Sequence, residues 1–122
     1  MKILVVDDSK AMRMIVLRTM RQAGYTGHDF MEATNGQEAL NLIKITPPDL
    51  ILSDWNMPEM NGIDLLRALQ KPEWPRIKFG FVTSEGTPDM RLQATEAGAL
   101  FLITKPFTAD TFKASLDKFF ST

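Results

Sequence analysis

A chain of 122 residues with no cysteine and a formal charge of −1 fits one domain, large enough to bury a single core without disulfide staples. The lack of cysteine excludes thiolate metal sites and suggests a reducing, cytoplasmic compartment. The near-neutral balance gives no general pull toward nucleic acid. The run Ile3–Val6 is too short for a secretory signal, and no other apolar run reaches a membrane span.

Ile3, Leu4, Val5 and Val6 form an unbroken apolar run ended by Asp7 and Asp8, the pattern of a strand covered on both faces. Ser9 is suited to cap a helix reaching about Gln22, with Met12, Ile15, Val16, Thr19 and Met20 on its inner face and Gly24 as its stop. His28–Ala33 reads as a second strand, the least regular in pattern, with His28 facing solvent ahead of it. Asn35-Gly36 marks a turn, and Gln37–Lys44 carries Ala39, Leu40 and Ile43 at helical spacing before Thr46-Pro47-Pro48 ends it. Leu50–Leu52 is a third buried strand, whose downstream end delivers the carboxylate of Asp54. Pro58 has no N–H to give a sheet ladder, so a loop must begin there.

Asn61-Gly62 opens a helix with Ile63, Leu65, Leu66 and Leu69 on its apolar face, broken by Lys71-Pro72-Glu73-Trp74-Pro75. Lys78–Val82 is a fourth strand. Pro88 fits the first turn of a helix running to Ala97, with Gly98 as its cap. Leu100–Ile103 is a fifth strand, and Phe107–Phe120 a last helix showing Phe112, Leu116, Phe119 and Phe120. Strands alternating with helices over short connections imply right-handed crossovers and a parallel sheet covered on both faces. The expected architecture is a doubly wound, flavodoxin-like α/β domain of five strands in the order 2-1-3-4-5 and five helices. In that order the first and third strands are neighbours at the reversal of winding, where such sheets hold their ligands.

The polar residues just past the first, third, fourth and fifth strands then converge: Asp7 and Asp8, Asp54, Thr83 and Ser84, and Lys105. Three carboxylates close together repel unless a cation compensates them. A hard divalent ion such as Mg²⁺ does so, since it takes carboxylate, carbonyl, water and phosphate oxygens. Acids, cation, ammonium and hydroxyl together suit phosphoryl transfer, in which positioning and charge neutralisation dominate. Taken singly, each residue has a plainer reading. Asp7-Asp8 could serve a helix N-terminus, Asp54 a turn, Thr83-Ser84 a helix cap, and Lys105 could be a solvated charge. Those readings do not explain why four strand ends carry one chemistry. Elsewhere, Met12, Met14 and Met20 read as core filling and Trp74 as a loop anchor. Trp55 reads either as a shield for the site or as a surface for a partner.

The segments Val5-Val6-Asp7-Asp8-Ser9, Ser53-Asp54-Trp55-Asn56-Met57-Pro58, Val82-Thr83-Ser84 and Thr104-Lys105-Pro106-Phe107 resemble, in order and spacing, the receiver domains of two-component response regulators, most closely single-domain chemotaxis regulators of the CheY type. The resemblance implies that Asp54 accepts a phosphoryl group from the phospho-histidine of a sensor histidine kinase. It implies that Asp8, Asp54 and the backbone carbonyl of Asn56 bind Mg²⁺, with Asp7 helping through water. Lys105 would hold a phosphoryl oxygen and Thr83 would move to bond another, with Ser84 beside it. Lys105-Pro106 would be a cis peptide. Asn56 and Glu85 would tune self-dephosphorylation. Residues 1–122 would be one receiver without an output domain, a monomer. Its fourth helix, fifth strand and fifth helix would dock a separate protein such as a flagellar motor switch component.

Two positions depart from the pattern. Leu102 stands three residues before the lysine, where the family usually has an aromatic, and Phe101 should point to the opposite face. Asn61 replaces the usual acid before Gly62. The route by which the signal leaves the domain is therefore open, and a phosphorelay intermediate, phosphate sink or phosphorylation-independent module is the alternative. A flavin carrier fits less well, because Asp7-Asp8 would repel its phosphate. A dehalogenase-type phosphatase wants an acid where Asn56 stands, and a DNA-binding role lacks a basic patch.

Overall fold

A computed structural model describes residues 1–120. Its elements in order are β1 (Lys2–Val6), α1 (Lys10–Gln22), β2 (Asp29–Ala33), α2 (Gly36–Ile45), β3 (Leu50–Ser53), α3 (Gly62–Leu69), β4 (Lys78–Thr83), α4 (Pro88–Ala97), β5 (Phe101–Thr104) and α5 (Ala109–Leu116). All four strand pairings are parallel, and the sheet order is β2-β1-β3-β4-β5, as expected.

Side-chain alternation along the strands divides the core in two. Leu4, Val6, Ile51, Phe79 and Phe81 point to the face covered by α2, α3 and α4, where they meet Ile43, Leu65 and Leu66. Ile3, Val5, Leu50, Leu52, Val82 and Ile103 point the other way and meet Val16, Met20, Phe112 and Leu116 from α1 and α5. This is why β1 and β3 carry no polar alternation. Each of their faces is an inner face. Leu102 packs against the first cluster and Phe101 against the second, so the two do lie on opposite faces.

Each helix starts on a side-chain cap: Ser9, Asn35, Asn61, Thr87 and Thr108 each accept the N–H of the residue three positions on. Asn61 therefore does in full what the acid it replaces could do as a cap. Thr87, not Thr83 or Ser84, caps α4, which removes the capping explanation for that pair. Gly98 ends α4 in the left-handed region at φ 106°, where a side chain would be strained.

Several sequence expectations need correction. The inner face of α1 is narrower than its apolar pattern, since Ile15 is exposed and Met14 is 52% exposed, so Met14 is not core filling. The last helix spans only Ala109–Leu116, because Thr108 rather than Phe107 starts it, and Phe119 lies largely outside the core. His28 does not simply face solvent. It is half-buried, with Nδ1 2.8 Å from the amino terminus of Met1. Trp55 is 8% exposed and stacks at 4.7 Å on Phe81, so it is a core residue and offers no surface to a partner. Trp74 does anchor its loop on the first cluster. No helix among the described residues is long and apolar enough to cross a membrane.

Candidate functional site

Parallel strands end side by side, so the residues that follow β1, β3, β4 and β5 share one rim. Asp7 is 3% exposed there, held by its N–H to the Ala33 carbonyl at 3.1 Å. Its Oδ1 accepts the Ser9 N–H at 2.9 Å, and its Oδ2 accepts from Lys105 Nζ at 3.1 Å. Asp54 continues β3, its N–H donating to the Val6 carbonyl at 2.8 Å. Its Oδ1 accepts the Trp55 N–H at 2.8 Å, and its Oδ2 lies 3.6 Å from Lys105 Nζ. Lys105 is in turn fixed by its N–H to the Thr83 carbonyl at 2.8 Å and by a cis bond to Pro106. One ammonium thus joins two carboxylates from different strands.

The approach of α3 depends on a glycine. A Cβ on Gly62 would stand 2.2 Å from the Asp54 carbonyl oxygen, so any side chain there would push the helix off the rim. The Gly62 N–H donates to the Trp55 carbonyl at 2.8 Å, which closes the loop carrying Asn56, Met57 and Pro58.

Asp8 is exposed, and one carboxylate oxygen from each of Asp7, Asp8 and Asp54 lies within 4.8 Å of the others. Three anionic oxygens at that spacing, one of them open to water, fit a hard divalent cation that keeps part of its hydration. The Asn56 carbonyl accepts no main-chain hydrogen bond among the described residues, so it too is available as an oxygen donor. Burial pushes the Asp54 carboxyl above the usual carboxylate range. Lys105 pulls it back, Asp7 pushes it further up, and the Trp55 N–H and the Thr83 hydroxyl lower it.

Thr83 is 0% exposed, and its Oγ1 completes no hydrogen bond. It influences the Asp54 charge at short range without closing a bond to it. Ser84 and Glu85 lie exposed on the β4–α4 loop and Asn56 on the β3–α3 loop, while Pro106 is exposed and Leu102 half-buried. The rim therefore joins Asp7, Asp8, Asp54 and Lys105 tightly and leaves the loop residues around them.

Arg13 was not expected from the sequence. From α1 it donates through Nη1 to the Asp7 carbonyl at 2.7 Å and through Nε to Glu32 at 2.9 Å, tying β1 to β2 below the acids. Its one sequence signal is a cation one turn into a helix that follows an acid pair, which is common on any helix.

The response regulator receiver domain family matches residues 3–117. Over 121 residues the chain is 40% identical to chemotaxis protein CheY-3 of Vibrio cholerae, covering 98% of this chain and 92% of that protein. It is equally 40% identical to chemotaxis protein CheY of Pseudomonas aeruginosa, covering 98% and 96%. The solved structure of Vibrio cholerae chemotaxis protein CheY4 superposes with a TM-score of 0.83 at 30% identity over 98% of both chains. The chain belongs to the response regulator receiver domain family.

Proposed function

We propose that this protein is a chemotaxis-type signalling switch, cytoplasmic and monomeric, that accepts a phosphoryl group on Asp54 from the phospho-histidine of a sensor kinase. The observation that carries this reading is the union of three carboxylates and one lysine at the strand ends of a receiver fold. Asp7, Asp8 and Asp54, with the Asn56 carbonyl, would hold Mg²⁺, which when bound supplies positive charge to the oxygens of the transferring group.

The remaining chemistry belongs to the chain. An Asp54 carboxylate oxygen bonds to phosphorus as the donor's phosphorus–nitrogen bond breaks, and the electron pair stays with the leaving imidazole. The Trp55 N–H holds one Asp54 oxygen at 2.8 Å, which leaves the other, on the Lys105 side, to react. Lys105 neutralises charge on the phosphoryl oxygens as they arrive. The acyl phosphate adds acceptor oxygens beside Thr83, whose partnerless hydroxyl gains one. That new bond is a differential contact, which is what shifts a population between two loop positions. Ser84, Glu85 and Asn56, on the two loops flanking Asp54, set how water reaches the acyl phosphate and so its lifetime. The names of the curated relatives support a chemotaxis pathway, with the α4–β5–α5 surface docking a separate target protein.

Transfer from a labelled phospho-histidine kinase domain in the presence of Mg²⁺ tests the reading. Base-labile label should move to this chain. A kinase that keeps its label, or label that resists base, would refute it.

A further inference from the structure

The β4–α4 loop and β5 are joined by a side chain that the phosphoryl chemistry leaves unused. Arg91 lies in the first turn of α4, its N–H donating to the Thr87 carbonyl at 3.0 Å. Its side chain turns back toward the rim. Nε donates to the Gly86 carbonyl at 3.2 Å, and Nη1 donates to the Leu102 carbonyl at 3.2 Å. A guanidinium holds its donors in a rigid planar fork, so these two carbonyls are linked by one stiff group. A carbonyl oxygen has two lone pairs, so Leu102 can accept this bond without leaving the sheet.

Gly86 is shaped for the same contact. A Cβ there would lie 2.5 Å from Thr104 Cγ2, 3.0 Å from Arg91 Nη2 and 3.3 Å from Leu102 Cδ2. The loop backbone therefore lies close against side chains of β5, which would have to shift to admit a Cβ at Gly86. Gly86 follows Thr83 by three residues, and Thr83 carries the one buried side-chain oxygen that has no partner among the described residues. At the far end of the link stands Leu102, where an aromatic is usual. Beside it, Arg91, Ala94 and Phe101 line part of an open pocket of about 360 Å³ between α4 and β5.

We propose that Arg91 is a positioning residue that locks the β4–α4 loop to β5, so that a loop shift at Thr83 reaches the Leu102 backbone through the guanidinium and needs no rotating ring. This rests on Asp54 being the phosphoryl acceptor. When Thr83 moves to bond a phosphoryl oxygen, Gly86 moves with it. The fork must then either lose its Nε bond or carry β5 along. Two bonds on one planar group favour carrying it, because displacement along either one strains the other.

Amide NMR spectra of the full chain, with and without Mg²⁺ and beryllofluoride as a phosphoryl mimic, test this in the wild type, Arg91→Met, Arg91→Lys and Gly86→Ala. In the wild type, loading should shift the amides of Thr83, Gly86, Leu102 and Ile103. In Arg91→Met the Thr83 shift should persist, while at least about half of the Leu102 and Ile103 shift disappears, because their only guanidinium link to the loop is gone.

Arg91→Lys keeps the charge but not the fork, and should resemble Arg91→Met. Gly86→Ala keeps Arg91 but lifts the loop from β5, and should lose the Leu102 response as well. These two carry the test if Arg91→Met does not fold. A full Leu102 response in Arg91→Met or Arg91→Lys, with Thr83 still responding, would overturn the inference. A wild type whose Thr83 and Asp54 amides do not respond would instead overturn the acceptor assignment.

Discussion

The two sides of the rim are built on opposite terms. On the side of β1, β3 and β5, Lys105 offsets part of the carboxylate charge before any ligand arrives. Asp7 and Asp54 share Lys105, and each has a further backbone N–H. On the β4 side, the Thr83 hydroxyl is buried and completes no hydrogen bond, and the loop beyond it is held to β5 by Arg91. Energetics explain the contrast. An unpaired buried charge costs several kcal/mol, roughly 3–5 when a partner is removed, so the acids need their lysine at all times. An unpaired hydroxyl costs only about 1–3 kcal/mol, which a domain can bear. The charged groups are therefore held in place beforehand, and the group left without a partner is the Thr83 hydroxyl.

Substitutions on either side can break this comparison. The largest effect belongs to Gly62→Ala, whose Cβ would meet the Asp54 carbonyl oxygen at 2.2 Å and the Phe81 ring at 2.9 Å. It should lower stability by at least about 3 kcal/mol, in the range of forced overpacking. Urea unfolding would measure it, and a loss under about 1 kcal/mol would show that α3 need not abut the rim.

Lys105→Met should come next. It leaves the Asp7 and Asp54 carboxylates facing each other, and without metal it should cost about 2 kcal/mol, less than a fully buried pair because water reaches the site. Mg²⁺ should recover part of that loss. Recovery that fails at saturating Mg²⁺ would mean that the three acids do not share a cation.

Asp54→Asn should act in the other direction. Burial and the neighbouring Asp7 hold the Asp54 carboxyl above its ordinary value. The unfolded carboxyl therefore ionises first as pH rises, and the metal-free fold loses stability between the ordinary and the raised value. Removing the charge should stabilise the metal-free protein at neutral pH by about 1 kcal/mol and flatten that part of the pH profile. A destabilised Asp54→Asn would show that Lys105 outweighs burial.

The smallest effect is Thr83→Val. Because the hydroxyl has no partner, its loss should leave stability unchanged or raise it by up to about 1 kcal/mol, while abolishing the loop response to a phosphoryl mimic. A clear loss of stability would mean that the hydroxyl is already bonded.

The sequence conveys the rim better than what surrounds it. Continuous runs such as Ile3–Val6 and Leu50–Leu52, closed by acids or prolines, fit strands buried on both faces, and strand ends in a doubly wound sheet have one place to go. Asp7, Asp54, Thr83 and Lys105 were therefore legible as neighbours. Helix faces were less so. In α1 an apolar residue at the right phase could still be exposed, as Ile15 is, because α1 presents only a narrow stripe to the sheet. Trp55 could not be placed, since a residue just past a strand can turn to either side, and here its ring lies 4.7 Å from that of Phe81. Arg13 and Arg91 were invisible for another reason. Arg91 acts through the carbonyls of Gly86 and Leu102, and Arg13 in part through that of Asp7, and carbonyls leave no mark in a sequence.

The central claim is that Asp54 is the residue that takes the phosphoryl group. Incubation with acetyl phosphate and Mg²⁺, followed by mass spectrometric mapping of the adduct, tests it most directly. The account predicts a single base-labile phosphoryl group on Asp54 that requires Mg²⁺ and is missing from Asp54→Asn. An adduct on another residue, or one that persists undiminished in Asp54→Asn, would contradict it.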